Sequence, residues 1–448
     1  MILTAAVFTA RNASAVTFTN LYILSTNVYF DDQFNVTNSD GLVPNGLVLS
    51  GNVIYGAASA GGIYGRGSIF RVNTDGSGFT NLFNFDSTNG DTPDSGLTLV
   101  GNTLYGTTHV GGQVGAGVVF RINTDGSGFA RVHDFNFTDG QNPQHGLTLH
   151  SNLLYGTTSL GGLNGWGNIY TVDVTNNNIS FVYQFTNEAL AYGGFAFSND
   201  TAYGFARGPL GSNGWIYTFG SGGYSVLYNF IGTNGSDPWG TPIISGNTLY
   251  GSTPSGGQFM NGNVFRINLD GSGFTNLYSF TPNGGANMDG THPYNYNGLV
   301  LSGNTLYGTA TGNGPGGQGT VFRVNTDGSS FAVLYSFGFT NGAYPDSLLL
   351  SGGTLYGATY GGFDGDFFVG PVSGSGSVFS LVVPPPAPRL NINLVAGQPV
   401  LTWSDPSSSF SLITSTNLTT TFTNIPGAQS PYTNSLIGPN RFFRLQSN

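Results

Sequence analysis

The chain has no cysteine and no lysine, and Glu188 is its single glutamate. Without cysteine, no disulfide framework reports a redox compartment, and no thiolate cluster marks a metal site. Without lysine, the cations are eleven arginines scattered over 448 residues, against a formal net charge of −10. No basic patch exists. Nucleic acid and anionic membranes are poor partner candidates, since phosphate binding depends on clustered Lys and Arg. No apolar run reaches the ~20 residues a membrane helix needs, so no membrane insertion is expected. Scarcity of the helix formers Lys and Glu argues for an all-β chain.

What is abundant is repeated. The dipeptide Tyr-Gly recurs in register at Tyr55, Tyr105, Tyr155, Tyr203, Tyr250, Tyr307 and Tyr356. Each copy sits in a longer phrase, roughly G-L-x-L-S-G-N-x-L-Y-G-T-T, a Gly-rich stretch, then V-F-R-I-N-T-D-G-S-G-F-T-N-L-Y-S-F. A fixed period of about fifty residues means one supersecondary unit copied along the chain. In the second copy the unit reads as four strands: Gly96–Val100, Thr103–Thr108, Val118–Asn123 and Phe129–Phe135. Gly101-Asn102 and Asp125-Gly126 supply the turns, since these residues tolerate positive φ. Seven four-stranded units predict a seven-bladed β-propeller, whose radial closure leaves few open edges.

The ends of the repeat array predict how the ring closes. Phe18-Thr19-Asn20-Leu21-Tyr22 is identical to Phe274–Tyr278, a fourth strand. The last unit stops after its third strand, Ser377–Val383. The segment Val16–Ile23 is therefore expected to complete the last blade. An open solenoid would need polar caps instead. The propeller should occupy residues 16–383. Residues 384–388 are a stiff Pro-rich linker. Residues 389–448 read as a small Ig- or fibronectin-like β-domain, with short strands around Val400–Trp403, Phe410–Thr414 and Phe442–Leu445. Residues 1–15 end in Ala13-Ser14-Ala15 after the apolar run Ile2–Ala10, the pattern of a partial signal peptide. An extracellular or cell-surface location is expected from it.

The phrases L-Y-G-T-T-x-x-G-G and V-F-R-I-N-T-D-G-S-G-F, best in Gly96–Phe135 and Gly298–Phe337, resemble the GloVer repeat of bacterial "choice-of-anchor tandem repeat" surface proteins. The resemblance covers about residues 46–383; the copy Gly193–Phe230 is degenerate. It implies secretion and surface attachment, and no known reaction.

Features repeated in most copies have a structural explanation first. The seven Tyr should pack between blades with their hydroxyls bonded. Arg71, Arg121, Arg266 and Arg323 should bond carbonyls or Asp across blades. The Asn-Thr-Asp-Gly-Ser-Gly turns lack the further acids of a calcium loop. The Gly-rich loops lead to strands and carry no Lys, unlike a phosphate loop. No cofactor and no metal site is expected.

Breaks in the repeat are the better clues to function. The loops from fourth to first strand and from second to third share one variable face. There lie Trp166, Trp215 and Trp239, the insertion with Asp289, His292 and Tyr294, and the last-blade insertion with Asp364 and Asp366. Aromatics beside Asp, Asn and His suit sugar rings; equally, they suit plugging of the ring's mouth. His109 and His145 lie on the same face and are placed to meet Asp91, Asp94, Asp139 or Tyr294. The leading expectation is a glycan- or partner-binding adhesion module. A polysaccharide lyase or hydrolase using His, Tyr and Asp is the alternative, and a self-associating surface protein is the third. The sequence assigns no catalytic residue and sets no oligomeric state.

Overall fold

The computed structural model describes residues 16–25, 29–30, 36–143, 145–186, 190–191, 193–209, 212–282, 288–294, 298–361, 376–383, 391–395, 398–402, 410–415, 423–433 and 442–447. Among them every regular element is a β-strand. Thr17–Val382 form one compact unit, and Val383–Asn448 belong to a second.

The first unit is a seven-bladed β-propeller of antiparallel sheets. Blade 1 comprises Leu42–Ser50, Val53–Ala60, Ser68–Asn73 and Thr80–Asn84. Blade 2 comprises Thr98–Val100, Thr103–Thr108, Val118–Asn123 and Ala130–Asp134, so its two middle strands match expectation residue for residue. Blade 3 runs over Thr148–Gln184, blade 5 over Trp239–Ser279 and blade 6 over Val300–Ser336. Blade 4 is irregular: Leu190–Ala191 and Ala196–Ser198 both pair with Thr201–Arg207. In blade 7, Ala343–Ser351, Thr354–Gly361 and Ser377–Val382 are completed by Thr17–Ile23. That N-terminal strand pairs antiparallel with the third strand, Thr17 opposite Val382 and Ile23 opposite Ser377.

Closure is also visible in the core. Leu47, Ile54 and Phe70 of blade 1 pack in one buried cluster with Ala358 and Val378 of blade 7. Neighbouring blades elsewhere share clusters of the same kind, as Tyr55 and Ile69 do with Leu104 and Phe120. Each fully buried Phe removes enough apolar surface to contribute roughly 1.5–3 kcal/mol.

The repeated Tyr-Gly follows from two contacts. The Tyr reaches toward the next blade: Tyr105 donates from its hydroxyl to Asn177 Oδ1 at 3.2 Å, and Tyr203 to the Leu269 carbonyl at 3.4 Å. The Gly lies opposite the aromatic residue of the third strand, Gly106 opposite Phe120 and Gly156 opposite Tyr170. A Cβ at Gly106 would come within 2.5 Å of Phe120 Cζ, so the ring needs the missing side chain. The arginines also behave as expected where contacts are present: Arg266 Nη1 donates to the Thr326 carbonyl of the next blade at 3.4 Å. In the turns, Asp75 Oδ1 accepts both the backbone N–H and the hydroxyl of Ser77, at 2.9 and 2.6 Å. The pattern recurs at Asp125, Asp270 and Asp327.

The second unit contains two three-stranded sheets. Asn391–Val395, Gln398–Thr402 and Tyr432–Thr433 form one; Thr423–Asn424, Phe410–Ser415 and Phe442–Ser447 form the other. Leu401 of the first and Leu412 of the second bury together with Phe443 and Tyr432 around them.

Candidate functional site at the axial mouth

The two loop classes of the variable face interlock. Thr92, before the first strand of blade 2, donates its N–H to the Arg66 carbonyl in the Gly-rich loop of blade 1, at 3.1 Å. Its own carbonyl accepts from the His109 N–H at 2.9 Å. Six blades enter the first strand through an X-Pro step whose first residue has positive φ: Val43, Thr92, Asn142, Asp237, His292 and Tyr344, all between 55° and 59°. Non-glycine residues avoid this region, at a cost of order 1–3 kcal/mol each. The proline that follows lies against the last Gly of the preceding blade's loop; a Cβ on Gly117 would meet Pro143 Cδ at 2.6 Å, and one on Gly376 would meet Pro44 Cδ at 2.4 Å. The Gly-rich loops are thus inter-blade sockets.

The residue after that proline differs from blade to blade. It is Asn45 in blade 1, Asp94 in blade 2, Trp239 in blade 5, Tyr294 in blade 6 and Asp346 in blade 7. Gln144 of blade 3 lies outside the described residues. Trp239 meets Tyr294 edge-on at 6.0 Å and the His145 ring of blade 3 at 5.4 Å. Contact between blades 3 and 5, skipping blade 4, is geometrically available only near the propeller axis. At Asp94, Trp239 and Tyr294 this position therefore lines the axial mouth, whereas Asn45 and Asp346 are buried, 2% and 1% exposed.

A second group joins it. His109 Nδ1 lies 3.4 Å from Asp94 Oδ2. Asp94 is walled by protein, and that burial pushes its carboxyl above the usual range against the opposing pull of His109. Yet 31% of its side chain still meets solvent, as expected for a group inside a concavity. His145 is 4% exposed, and burial, with His109 adding to it, lowers its pKa to about 3. It is neutral at physiological pH. Arg207 Nε pairs with Asp237 Oδ1 at 3.0 Å, and both charges are felt at Tyr294.

The expected ligand-binding residues divide. Trp239, His292 and Tyr294 come together, His292 stacking over Tyr294 at 6.3 Å. His292 occupies the strained pre-proline position, and burial lowers its pKa. Trp215 is a correction: it opens the strand Trp215–Gly220 rather than lying in a loop. It is buried in the core between blades 3 and 4, donating from Nε1 to Tyr224 Oη at 2.7 Å. Trp239 likewise opens the strand Trp239–Ser245. Trp166 packs against the same core as Trp215. Asp289 is a loop clasp, accepting from Tyr278 Oη at 2.7 Å and from the Thr281 N–H at 2.9 Å. Asp40 does the same for Tyr22 and Ser25. Asp364 and Asp366 lie outside the described residues. His109 meets Asp94 as anticipated, while His145 meets Trp239. His133 pairs with Asp139 at 3.1 Å on the outer fourth strand, where it is too far out to join the mouth group. Aligning the six post-proline positions would have revealed Asp94 from the sequence.

A shallow hollow of about 350 Å³ at the outer rim, lined by Thr88, Asn89, Gly112, Gln113 and Arg131, is a weaker candidate. Its cation is already engaged, by Asp134 at 2.7 Å and the Thr88 carbonyl at 3.0 Å. Among the described residues no cluster of His, Asp or Glu has the geometry to hold a metal ion.

Comparison with known proteins places the repeats. The model of the Gloeobacter/Verrucomicrobia repeat matches residues 7–217 and 187–370. The chain belongs to that family. None of the curated proteins compared matches it. Among solved structures it is similar to a puromycin hydrolase mutant complexed with PGG, at 10% identity and TM-score 0.51, over 82% of this chain and 58% of that one. It also matches the Niastella koreensis GH74 enzyme, at 16% identity and TM-score 0.48, over 83% of this chain and 59% of that one. A chain of a nidogen/laminin complex matches at 18% identity and TM-score 0.37, over 54% of this chain and 81% of that one. At these identities the first likeness speaks for the fold alone. The chain spans about three fifths of the length of the first two.

Proposed function

We propose that this Gloeobacter/Verrucomicrobia repeat protein is an extracellular or cell-surface module that binds a glycan at the axial mouth of its loop face. One observation carries the reading: Trp239 reaches His145 from two blades away and stands beside Tyr294. Rigid aromatics next to hydrogen-bonding groups in a concavity suit a sugar, whose C–H face packs on the ring while its hydroxyls reach acceptors such as Asp94. The mouth is built on strand ends held by the Pro-Gly sockets, so little ordering entropy opposes binding. The family resemblance supports the surface location. The test is titration calorimetry against a panel of oligosaccharides. Binding that disappears in Trp239→Ala supports the reading; a panel with no binder sinks it.

The second reading is a polysaccharide lyase or hydrolase, favoured by the 3.4 Å approach of His109 to Asp94, an imidazole and a carboxylate of the kind that general acid–base chemistry uses. Product release that is lost in His109→Ala would establish it. Prolonged incubation with the panel and no product would exclude it.

A further inference from the structure

We propose that the axial mouth selects an amine-bearing glycan, a chain of unacetylated amino sugar, over neutral sugars and against uronates; this rests on the glycan reading above. The post-proline residues that reach solvent fall in two arcs. Blades 5 and 6 carry Trp239 and Tyr294, and blade 2 carries Asp94, its side chain 31% exposed; Asn45 and Asp346 of blades 1 and 7 are buried. An aromatic face attracts a cation through its quadrupole, and a carboxylate does so through its charge. Both arcs therefore favour an ammonium group.

Nothing described at the mouth favours an anion. Arg207 is paired with Asp237 at 3.0 Å. His109 faces Asp94 at 3.4 Å. His145 is buried against Trp239. A uronate would meet the Asp94 carboxylate with no uncommitted cation beside it. The formal charge of −10 over the chain adds steering in the same direction.

The experiment uses the full chain at neutral pH and low salt with a polylysine peptide and three sugar probes: a chitosan oligosaccharide, its N-acetylated counterpart and an oligogalacturonate. The amine chain should bind about tenfold tighter than the acetylated one, the difference shrinking as salt rises. The uronate should bind weakest. Asp94→Asn should narrow the gap between amine and acetylated chains, with a melting temperature near that of the parent. Equal affinity for the three probes, or preference for the uronate, overturns the selectivity and leaves glycan binding standing. A polylysine peptide that binds as tightly as the amine chain overturns the sugar requirement. Failure of all three sugars overturns the glycan reading together with this one.

Discussion

Phe18 lies flat on Tyr335, ring centroids 4.0 Å apart and planes within 5°. Phe18 is on the N-terminal strand that completes blade 7; Tyr335 is on the fourth strand of blade 6. The same strand carries Tyr22, stacked on Phe79 of blade 1 at 3.7 Å. Analogous stacks join the other outer strands: Phe83 with Phe129, Tyr183 with Tyr224, Tyr228 with Phe274, and Tyr278 with Phe331. Between blades 2 and 3, His133 meets Phe181 edge-on. The circumference is thus laced at all seven junctions, and one short strand supplies a ring to two of them.

Phe18→Ala should therefore cost more than an average outer-strand substitution. It removes the stack on Tyr335 and contacts with Phe337 and Phe379. A half-buried Phe in that setting should cost about 2–4 kcal/mol. Urea unfolding of the variant measures it, and Phe18→Tyr should recover most of the loss. Deleting residues 1–24 should go further, leaving Ser377–Val382 as an open edge prone to aggregation. A truncated chain that melts like the parent would overturn the closure argument.

The second prediction tests why glycine follows each repeated tyrosine. A Cβ at Gly251 would meet Phe205 Cζ at 2.6 Å and Phe265 Cζ at 2.7 Å, both in fully packed core. Gly251→Ala should destabilise by about 1–3 kcal/mol through overpacking. Gly222→Ala, at a turn with nothing within 4 Å of the new atom, should shift stability by under about 0.5 kcal/mol. Equal melting temperatures for the two variants would refute the steric account.

These two cases mark what the sequence discloses. Near-identical phrases such as Phe18–Tyr22 and Phe274–Tyr278 reveal a strand and its place, because repetition reports the unit directly. The cross-strand pressure of Phe120 on Gly106 was not legible, since it depends on which residue stands opposite. Trp215 misled for a related reason: the degenerate fourth repeat shortens its loop, so the Trp enters the strand and turns into the core. The mouth was half legible. Trp239 and His292 stand out as rare residue types and Tyr294 by its place in an insertion, whereas Asp94 is an ordinary acid until the propeller brings its position round beside the others.

The two tryptophans give a third, paired prediction. Trp239 is half-buried at the mouth; Trp215 is 9% exposed and hydrogen-bonded to Tyr224 in the core. Trp239→Ala should abolish oligosaccharide binding and lower stability only modestly. Trp215→Ala should cost about 3–5 kcal/mol, with binding retained at temperatures where it is folded. Calorimetric titration and thermal melts on both variants separate the roles. Binding lost in both, or in neither, would remove Trp239 from the site.

The last prediction concerns acid. His145 has a pKa of about 3 in the fold because burial disfavours its cation, against about 6.5 in an unfolded chain. The unfolded chain takes the proton first as pH falls. The stability tied to neutral His145 is therefore whole above about pH 6.5 and erodes as pH drops toward 3. Asp94 runs the other way: burial raises its carboxyl, so its protonation favours the fold. The exposed turn acids Asp75, Asp125, Asp173 and Asp270, held low by Ser or Thr hydroxyls, add loss only below the ordinary carboxylate range of about 4. Between about pH 6.5 and 4.5, His145 should thus supply a falling slope worth about 2–3 kcal/mol in total. His145→Gln should flatten that part of the curve while leaving the steeper loss at lower pH in place. Urea midpoints of parent and variant, taken at half-unit steps, check it. Parallel curves would mean that the imidazole is better solvated than its place behind Trp239 implies.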